Sequence, residues 1–277
     1  MNIIFIGGSS FASSDLVNDL NKKATVFFSS RKRYPKKKDN FYFDLNSKNK
    51  HLLKRFKKKK ISYLFFLASH VPFNEKKSSW VNCYKTNIFG AINLIKNINF
   101  PIKKIVFISS CSLYGSSSSS FNENSFLKPE TPYSLSKFSQ ESIFRIFCQI
   151  NKIKFVAYRL GYVYGKNMNP NRLVKRIFKK LQNKKKVKIY NRELNLNLIH
   201  TKDISNIILS TYKKAEGIFN LTNKFKITIS NFLLAIYKTK KNVFSSNNFS
   251  SNKIRSKFPK IKFLKLQEGI KCLKSYD

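Results

Sequence analysis

Short apolar runs alternate with amphipathic stretches, and this alternation constrains the fold of the 277-residue chain more than any other feature. An apolar run at Asn2–Ile6 ends in Gly7-Gly8, a helical pattern covers Phe11–Asn21, and a second apolar run covers Ala24–Phe28. Apolar runs that end in glycine and are joined by a helix predict a βαβ unit.

The alternation continues toward Gly165. Further apolar runs cover 61–68, 104–109 and 153–159, and helical patterns cover 48–56, 80–98 and 133–150. Strands that are apolar throughout are typical of a parallel sheet buried on both faces. We therefore predict an α/β fold with a Rossmann-type, doubly wound parallel sheet over residues 1–165. Residues 166–277 are less regular and predict a small α/β cap, with some segments that return to the first domain.

Composition excludes several classes of protein. With 42% hydrophobic residues the chain has enough apolar material for a sizeable core, unlike a disordered basic tail. No apolar run reaches the roughly 18 residues that cross a bilayer, so we expect a cytoplasmic protein without membrane insertion. The four cysteines form no C-x-x-C pair and the three histidines are far apart, so we expect neither a disulfide framework nor a metal site.

The formal net charge is +42, from 55 Lys+Arg and 13 Asp+Glu. Such a charge is typical of proteins that bind nucleic acid or anionic membranes. Here the lysines are spread along the chain, mostly where helices end or loops turn, which favours a background of solvated charge. A catalytically silent Rossmann-type protein that binds nucleic acid or anionic partners through this surface is the alternative.

Tyr133 and Lys137 form the strongest chemical pattern, at the start of a predicted helix. Side chains at i and i+4 share a helix face, so the phenol and the ammonium can point to one spot. A nearby ammonium favours the phenolate and brings a tyrosine toward useful acid/base chemistry. Ser110 follows the apolar run at 104–109, and functional groups collect at the carboxyl ends of parallel strands. An ordinary polar turn is the alternative interpretation of that serine.

In order and spacing, these residues resemble the extended short-chain dehydrogenase/reductases of the NAD-dependent epimerase/dehydratase family, over nearly the whole chain. Other family-like segments are Leu67-Ala68-Ser69-His70, Thr86-Asn87-Ile88-Phe89-Gly90, Arg159 to Gly165, Ile199 to Ile204, Phe219-Asn220-Leu221 and Glu268-Gly269. The resemblance implies an NAD(P)-binding first domain and a substrate-binding cap. It also implies a homodimer through the helices near 80–98 and 133–150.

The resemblance assigns roles to individual residues. Tyr133 is the general acid/base, Lys137 orients the cofactor ribose and tunes Tyr133, and Ser110 polarises the substrate oxygen. Asn87 supports the active-site helix, and Asp44 lies near the adenine ring. The other residues expected to bind the cofactor are Phe11, Leu45, Leu67, Ala68 and Ser69.

Two loops bear on the cofactor. The family pattern G-x-x-G-x-x-G falls on Gly7, Ser10 and Ser13, so only the first glycine is kept, and a weakened or inactive relative is the alternative. The second apolar run continues Ser29-Ser30-Arg31-Lys32, with no carboxylate to accept from a ribose 2′-hydroxyl. NADP(H) is therefore favoured over NAD(H), unless Arg31 and Lys32 belong to the basic background.

The substrate is predicted from departures from the family. Cys111 and Ser112 stand where sugar 4,6-dehydratases carry Asp and Glu, which disfavours dehydration. An arginine that often meets a nucleotide-sugar phosphate is replaced by Leu196, and Arg172 or Arg192 could supply that charge. His70 and Ser112 are further candidate substrate contacts, whereas His200 and Asp203 are expected to serve packing. We expect an NAD(P)-dependent epimerase or 4-keto reductase of a nucleotide-activated sugar.

Overall fold

The computed structural model describes residues 1–30, 40–46, 56–72, 77–116, 120–165, 167–183, 195–223, 225–237, 245–246 and 249–274. The predicted residues Arg31, Lys32 and Arg192, and most of the helix predicted at 48–56, lie outside these ranges. No helix within them is long and apolar enough to cross a membrane.

A seven-stranded parallel sheet forms the centre of the molecule. Its strands are β1 (Asn2–Ile6), β2 (Thr25–Ser30), β3 (Asn40–Tyr42), β4 (Ile61–Phe66), β5 (Lys104–Ser110), β6 (Lys154–Leu160) and β10 (Gly217–Leu221). Across the sheet they lie in the order β10-β6-β5-β4-β1-β2-β3. The chain leaves β1 toward β2 on one side and crosses back to β4 on the other. This confirms the doubly wound α/β fold and places a topological switch point at the carboxyl end of β1.

The helices of the described residues are α1 (Ser14–Asn21), α2 (Lys77–Cys83), α3 (Gly90–Asn97), α4 (Pro132–Ile150), α5 (Leu173–Gln182), α6 (Thr201–Thr211), α7 (Ile229–Tyr237), α8 (Asn252–Lys257) and α9 (Leu266–Lys274). α1 and α6 cover one face of the sheet, α3 and α4 cover the other, and α5, α7 and α9 pack in a separate cluster. A π-helical segment, Tyr84–Phe89, joins α2 to α3, and a 3-10 turn, Phe11–Ser13, precedes α1. The helix predicted to begin at Phe11 therefore becomes α-helical only at Ser14.

Alternating strand residues supply two cores, one on each face of the sheet. In β1, Ile3 and Phe5 face the core that α1 and α6 cover, while Ile4 and Ile6 face the core that α3 and α4 cover. This is the period of two that a strand imposes on its side chains. Because both sets are buried, the run had to be apolar throughout.

The second half of the chain contributes to both the sheet and a smaller core. β10 pairs with β6 at the sheet edge, and α6 packs against α1. The remaining strands form two small sheets: β7 (Tyr162–Tyr164) with β9 (Leu198–His200), and β8 (Asn195–Leu196) with β11 (Phe225–Thr228) and β12 (Ser245–Ser246). A third apolar cluster, which includes Val174, Phe178 and Phe232, packs beneath them. The division at residue 165 stays a prediction.

Candidate active site

A cleft of about 1060 Å³ opens at the carboxyl ends of β1, β2, β4, β5 and β6. Loops from neighbouring parallel strands meet at this edge, where ligands of such sheets usually bind. The predicted residues that line the cleft are Gly7, Ser10, Phe11, Ser29, Asp44, Leu45, Leu67, Ala68, Ser69, His70, Ser110, Ser112, Tyr133, Lys137 and Arg172. Ser13 and Asn87 do not line it and are fully buried beside it.

Gly7 begins the loop after β1 with a φ of +91°, a conformation that favours glycine. A Cβ built on Gly7 would lie 2.6 Å from the Ala68 backbone nitrogen. The loops after β1 and β4 therefore touch backbone to backbone, and only glycine fits between them.

The serines that replace the second and third family glycines brace this loop. The Ser13 hydroxyl lies 3.1 Å from the Gly7 carbonyl oxygen and 3.0 Å from the Ser10 carbonyl oxygen, and is fully buried. The Ser10 and Ser13 hydroxyls are 3.0 Å apart. Ser13 thus holds the turn from inside, while Ser10 remains on the cleft wall.

Ser29 ends in the cleft beside the same loop. Its hydroxyl accepts a 3.0 Å hydrogen bond from the Gly7 backbone N–H. A neutral hydroxyl therefore occupies the strand end where NAD-selective folds carry a carboxylate.

Tyr133 lies in the first turn of α4, and local sequence explains why the helix starts there. Thr131 and Ser134 form a reciprocal capping box, with Ser134 N donating to Thr131 Oγ1 at 3.1 Å and Thr131 N donating to Ser134 Oγ at 2.9 Å. Pro132 occupies the first helical position, where its missing N–H costs nothing. The cap fixes the position of the phenol in the cleft.

Ser110 is the last residue of β5 and caps the turn that follows, accepting a 3.1 Å hydrogen bond from the Ser112 N–H. Its hydroxyl also lies close enough to the Tyr133 phenol to lower the pKa of that phenol. Burial raises the pKa of Tyr133 to about 12, opposed by the Ser110 hydroxyl and by the positive charge of Arg172. At neutral pH the phenol is therefore protonated.

Lys137 is buried one turn further along α4. Its ammonium donates to the Gln140 Oε1 at 2.7 Å, the Ile108 carbonyl at 2.8 Å and the Ser69 hydroxyl at 3.1 Å. Burial lowers its pKa to about 7, partly opposed by Glu141. The i, i+4 spacing predicted that Lys137 lowers the pKa of Tyr133, whereas the groups that lower it in this structure are Ser110 and Arg172.

Asn87 ties the π-helical segment to the site. Its side chain accepts from the His70 N–H at 2.7 Å and donates to the His70 carbonyl at 3.1 Å and to Ser136 Oγ at 2.8 Å. These bonds join the loop after β4 to α4, the helix that Asn87 was predicted to support.

Cys111 lines the cleft. Its thiol donates to the Arg159 carbonyl at 3.2 Å, and burial raises its pKa far above neutrality. The Ser112 hydroxyl lies 2.9 Å from that of Ser110. Neither side chain offers a carboxyl group.

His200 and Asp203 lie outside the cleft, at the start of α6. His200 Nδ1 accepts from the Lys202 N–H at 3.1 Å, and its ring packs edge-on against Tyr164. Asp203 accepts from the Leu264 N–H at 2.8 Å. Both contacts are structural.

Sequence reasoning missed several residues. Asn169, Asn195, Asn197 and Phe249 line the cleft from the second half of the chain, and Gln140 contacts Lys137 from beneath. Asn169 could have been identified from the polar residues that come just before the predicted helix at 171–182. Gln140 could have been identified from its position three residues after Lys137, on the same helix face.

These residues fit a dinucleotide cofactor. The cleft runs from Asp44 past Gly7 to Tyr133 and Lys137, and its volume of about 1060 Å³ is at the upper end for ligand pockets. Gly7 allows the backbone close approach that a pyrophosphate needs, and Lys137 offers a donor at the opposite end.

Residues 3–222 of the chain match the model of the NAD dependent epimerase/dehydratase family. The dTDP-D-glucose 4,6-dehydratase of Dictyostelium discoideum is 25% identical over 189 residues, which are 62% of this chain and 44% of the relative. The match thus spans less than half of that curated relative.

Two solved structures share the fold. The UDP-glucose 4-epimerase of Thermotoga maritima, solved with UDP-glucose, has a TM-score of 0.84 at 20% identity, with 100% of this chain and 98% of that chain covered. The UDP-glucuronic acid 4-epimerase of Bacillus cereus, solved with UDP-glucuronic acid and NAD, has a TM-score of 0.83 at 18% identity, with the same coverage. The family model, the sheet order and the cleft agree: the chain belongs to the NAD-dependent epimerase/dehydratase family.

Proposed function

We propose that the protein is an NAD(P)-dependent epimerase or 4-keto reductase of a nucleotide-activated sugar. The observation that carries the proposal is that Ser110, Tyr133 and Lys137 line the same cleft as the Gly7 loop. The family match over residues 3–222 supports it.

Tyr133 and Ser110 can act on one sugar oxygen. Both hydroxyls line the cleft and Ser110 lowers the pKa of Tyr133, so a sugar oxygen beside them can accept a hydrogen bond from each. When bound, NAD(P) supplies a hydride acceptor or donor for the sugar carbon. The Tyr133 phenol gives its proton to the sugar oxygen on reduction, and the Tyr133 phenolate takes the hydroxyl proton back on oxidation. Lys137, beneath it, would hold the cofactor ribose.

Arg172 is the proposed contact for the substrate diphosphate. Leu196 replaces the family arginine, and Arg172 lines the cleft before α5. A guanidinium can bind phosphate oxygens with two parallel hydrogen bonds. Its charge also lowers the pKa of Tyr133, so one residue would serve both the substrate and the acid/base.

Dehydration is disfavoured because the position of the eliminating acid holds Cys111. A thiol whose pKa burial has raised keeps its proton at neutral pH and is a poor acid/base group. The chemistry proposed is therefore hydride transfer without elimination.

The test begins with fluorescence titrations of purified protein with NADH and NADPH, followed by a screen of nucleotide sugars and their 4-keto forms. Tyr133→Phe should lower kcat about 100-fold or more with little change in cofactor Kd. Tyr42→Phe, an exposed tyrosine on β3, is the control. Absence of NAD(P)H binding, or a fully active Tyr133→Phe, contradicts the proposal.

Cofactor stoichiometry separates the two reactions. NADPH oxidation in step with product identifies a reductase, while turnover without net cofactor change identifies an epimerase. Binding to a duplex oligonucleotide that collapses between about 50 and 200 mM salt, without NAD(P)H binding, would favour the silent alternative instead.

We also propose a homodimer. α2 and α4 pack side by side, and their outer faces expose Trp80, Leu135, Phe138, Ile146 and Ile150. The four on α4 follow a helical stripe, and contiguous exposed apolar faces mark interaction sites. We call these five residues the helix-pair face.

A further inference from the structure

Gln140 is a fully buried polar residue directly beneath the candidate active site. Its Oε1 accepts from Lys137 Nζ at 2.7 Å and from the Ser69 hydroxyl at 3.1 Å. Its Nε2 donates to the Asn87 carbonyl at 3.0 Å and to the Ala68 carbonyl at 3.4 Å. One side chain thus joins α4, the loop after β4 and the π-helical segment.

The surroundings fix which way this amide points. Two donors, Lys137 and Ser69, face one end, and two backbone carbonyls face the other. A flipped amide would place N–H groups against an ammonium and oxygen against carbonyls. Only a group that accepts at one end and donates at the other satisfies the site, which is why glutamine fits and an apolar residue of similar size does not.

Lys137 has three donors, and three protein acceptors use them. The Ile108 carbonyl belongs to β5 and Gln140 is wholly enclosed, so these two partners are fixed by the fold. Ser69 is half-buried, lines the cleft and makes the longest of the three bonds, at 3.1 Å. Ser69 is therefore the partner that a ligand hydroxyl in the cleft can replace.

We propose that Gln140 is a positioning residue: it holds the Lys137 ammonium toward the cleft floor and leaves the Ser69 bond as the one that a cofactor hydroxyl takes over. The proposal rests on the proposed function for its cofactor. The placement of Lys137 by Gln140 stands without it.

Few other charges act on Lys137. Glu141 on α4 raises its pKa, and Tyr133 is the titratable group one turn earlier on the same helix face. β5 presents the Phe107 ring, 4.4 Å from the ammonium, and the neighbouring π-helical segment presents the neutral Asn87. Removing the Gln140 acceptor should therefore lower the Lys137 pKa below about 7, and a carboxylate there should raise it.

The first experiment titrates the full chain with NADPH, by fluorescence, from about pH 6 to pH 9. An ammonium offers three donors and a neutral amine two, so wild-type affinity should fall as pH rises through the Lys137 pKa. Gln140→Met should weaken binding about tenfold at neutral pH and move this midpoint to lower pH. Gln140→Glu should move it to higher pH. Gln149→Met, the same change on the exposed side of α4, should match wild type.

The second experiment needs no cofactor, so it separates failure of this proposal from failure of the proposed function. Urea unfolding midpoints are measured against pH for wild type, Gln140→Met, Lys137→Met and the double variant. The rise of the midpoint with pH should begin at lower pH in Gln140→Met than in wild type. In the Lys137→Met background, Gln140→Met should leave the pH dependence unchanged.

Either experiment can overturn the proposal. If Gln140→Met binds NADPH with wild-type affinity, and the pH midpoint of that binding is unshifted, then Gln140 does not position Lys137. The same conclusion follows if Gln140→Met lowers stability equally at every pH, or if Gln140→Glu leaves the binding midpoint in place. Ser69→Ala frees the donor that the cofactor hydroxyl takes over, so it should not weaken NADPH binding, and a loss as large as that of Gln140→Met would make Ser69 the fixed partner instead.

Discussion

Ser29 Oγ accepts its hydrogen bond from the backbone N–H of Gly7, so the end of β2 and the loop after β1 are joined through a neutral group. Because the hydroxyl acts as the acceptor in this bond, it keeps its own proton to donate toward the cleft. A ribose 2′-phosphate can accept it, and no negative charge at this position repels that phosphate.

Ser29→Asp should therefore favour NADH over NADPH. A carboxylate accepts a hydrogen bond from a ribose 2′-hydroxyl and repels a 2′-phosphate, and we expect the ratio of the two Kd values to shift about tenfold or more. Fluorescence titration with both cofactors measures it. Ser29→Asn, similar in size but neutral, should leave the ratio near wild type, and an equal shift in both variants would contradict the charge explanation.

Arg172→Met should move the activity profile to higher pH. The Arg172 charge lowers the pKa of Tyr133, so its removal leaves the effect of burial less opposed and makes the phenolate harder to form. In the oxidative direction, the rise of kcat with pH should occur at higher pH than in wild type. The KM for a nucleotide sugar should also increase. Lys179→Met, exposed on the helix α5 that follows Arg172, is the control, and an unmoved profile in Arg172→Met would refute the effect.

Glu141→Gln should lower the free energy of unfolding by about 3 to 5 kcal/mol. Glu141 and Arg159 are buried and paired at 2.6 and 3.2 Å, and Arg159 also donates to the Tyr114 hydroxyl at 2.7 Å. Loss of the carboxylate leaves the guanidinium charge uncompensated. Urea denaturation measures the change. The exposed pair of Glu216 with Lys154 is the comparison, and Glu216→Gln should cost less than about 1 kcal/mol.

The cofactor-free protein should gain stability between pH 7 and pH 9. Burial lowers the pKa of Lys137 from 10.5 to about 7, so over this range the unfolded chain binds a proton that the folded chain has lost. The free energy of unfolding then rises with pH, by about 2 kcal/mol for this group, and the gain is lost as pH falls through 7. In Lys137→Met that contribution should be absent. Above pH 9 the raised pKa of the Cys148 thiol opposes the trend, so measurements stop there.

Ile146→Lys together with Trp80→Lys should convert the proposed dimer into a monomer. Both side chains are about half exposed on the helix-pair face, so charge there is tolerated by the folded chain but not by a buried apolar interface. Light scattering after gel filtration reports the mass, and circular dichroism reports folding. Leu234→Lys, on α7, tests whether any exposed apolar residue has the same effect. A wild-type monomer would contradict the proposal at once.

The strand and helix order was predictable because parallel strands and packed helices leave strong periodic patterns. The residues at strand ends were predictable for a related reason, since Gly7, Ser29, Ser69 and Ser110 each follow an apolar run. The carboxyl ends of parallel strands converge, so their side chains had to meet.

Contacts between distant segments were not predictable from spacing. The direction of the Lys137 ammonium depends on Ile108, 29 residues away, and on Gln140, which is itself held by a carbonyl 53 residues away. The i, i+4 spacing places Tyr133 and Lys137 on one face, but it does not determine which acceptor the ammonium chooses. Short strands such as β7 and β8 also escaped prediction, because two or three residues carry no period.

The contact between Gly7 and Ala68 makes the cofactor loop and the candidate catalytic lysine parts of one rigid body. Ala68 precedes Ser69, whose hydroxyl contacts both Gln140 and Lys137. A side chain added at Gly7 would push on Ala68 and displace that hydroxyl, although Gly7 and Lys137 are 130 positions apart in the chain. A substitution at Gly7 would therefore misplace the Lys137 ammonium at the far end of the cleft.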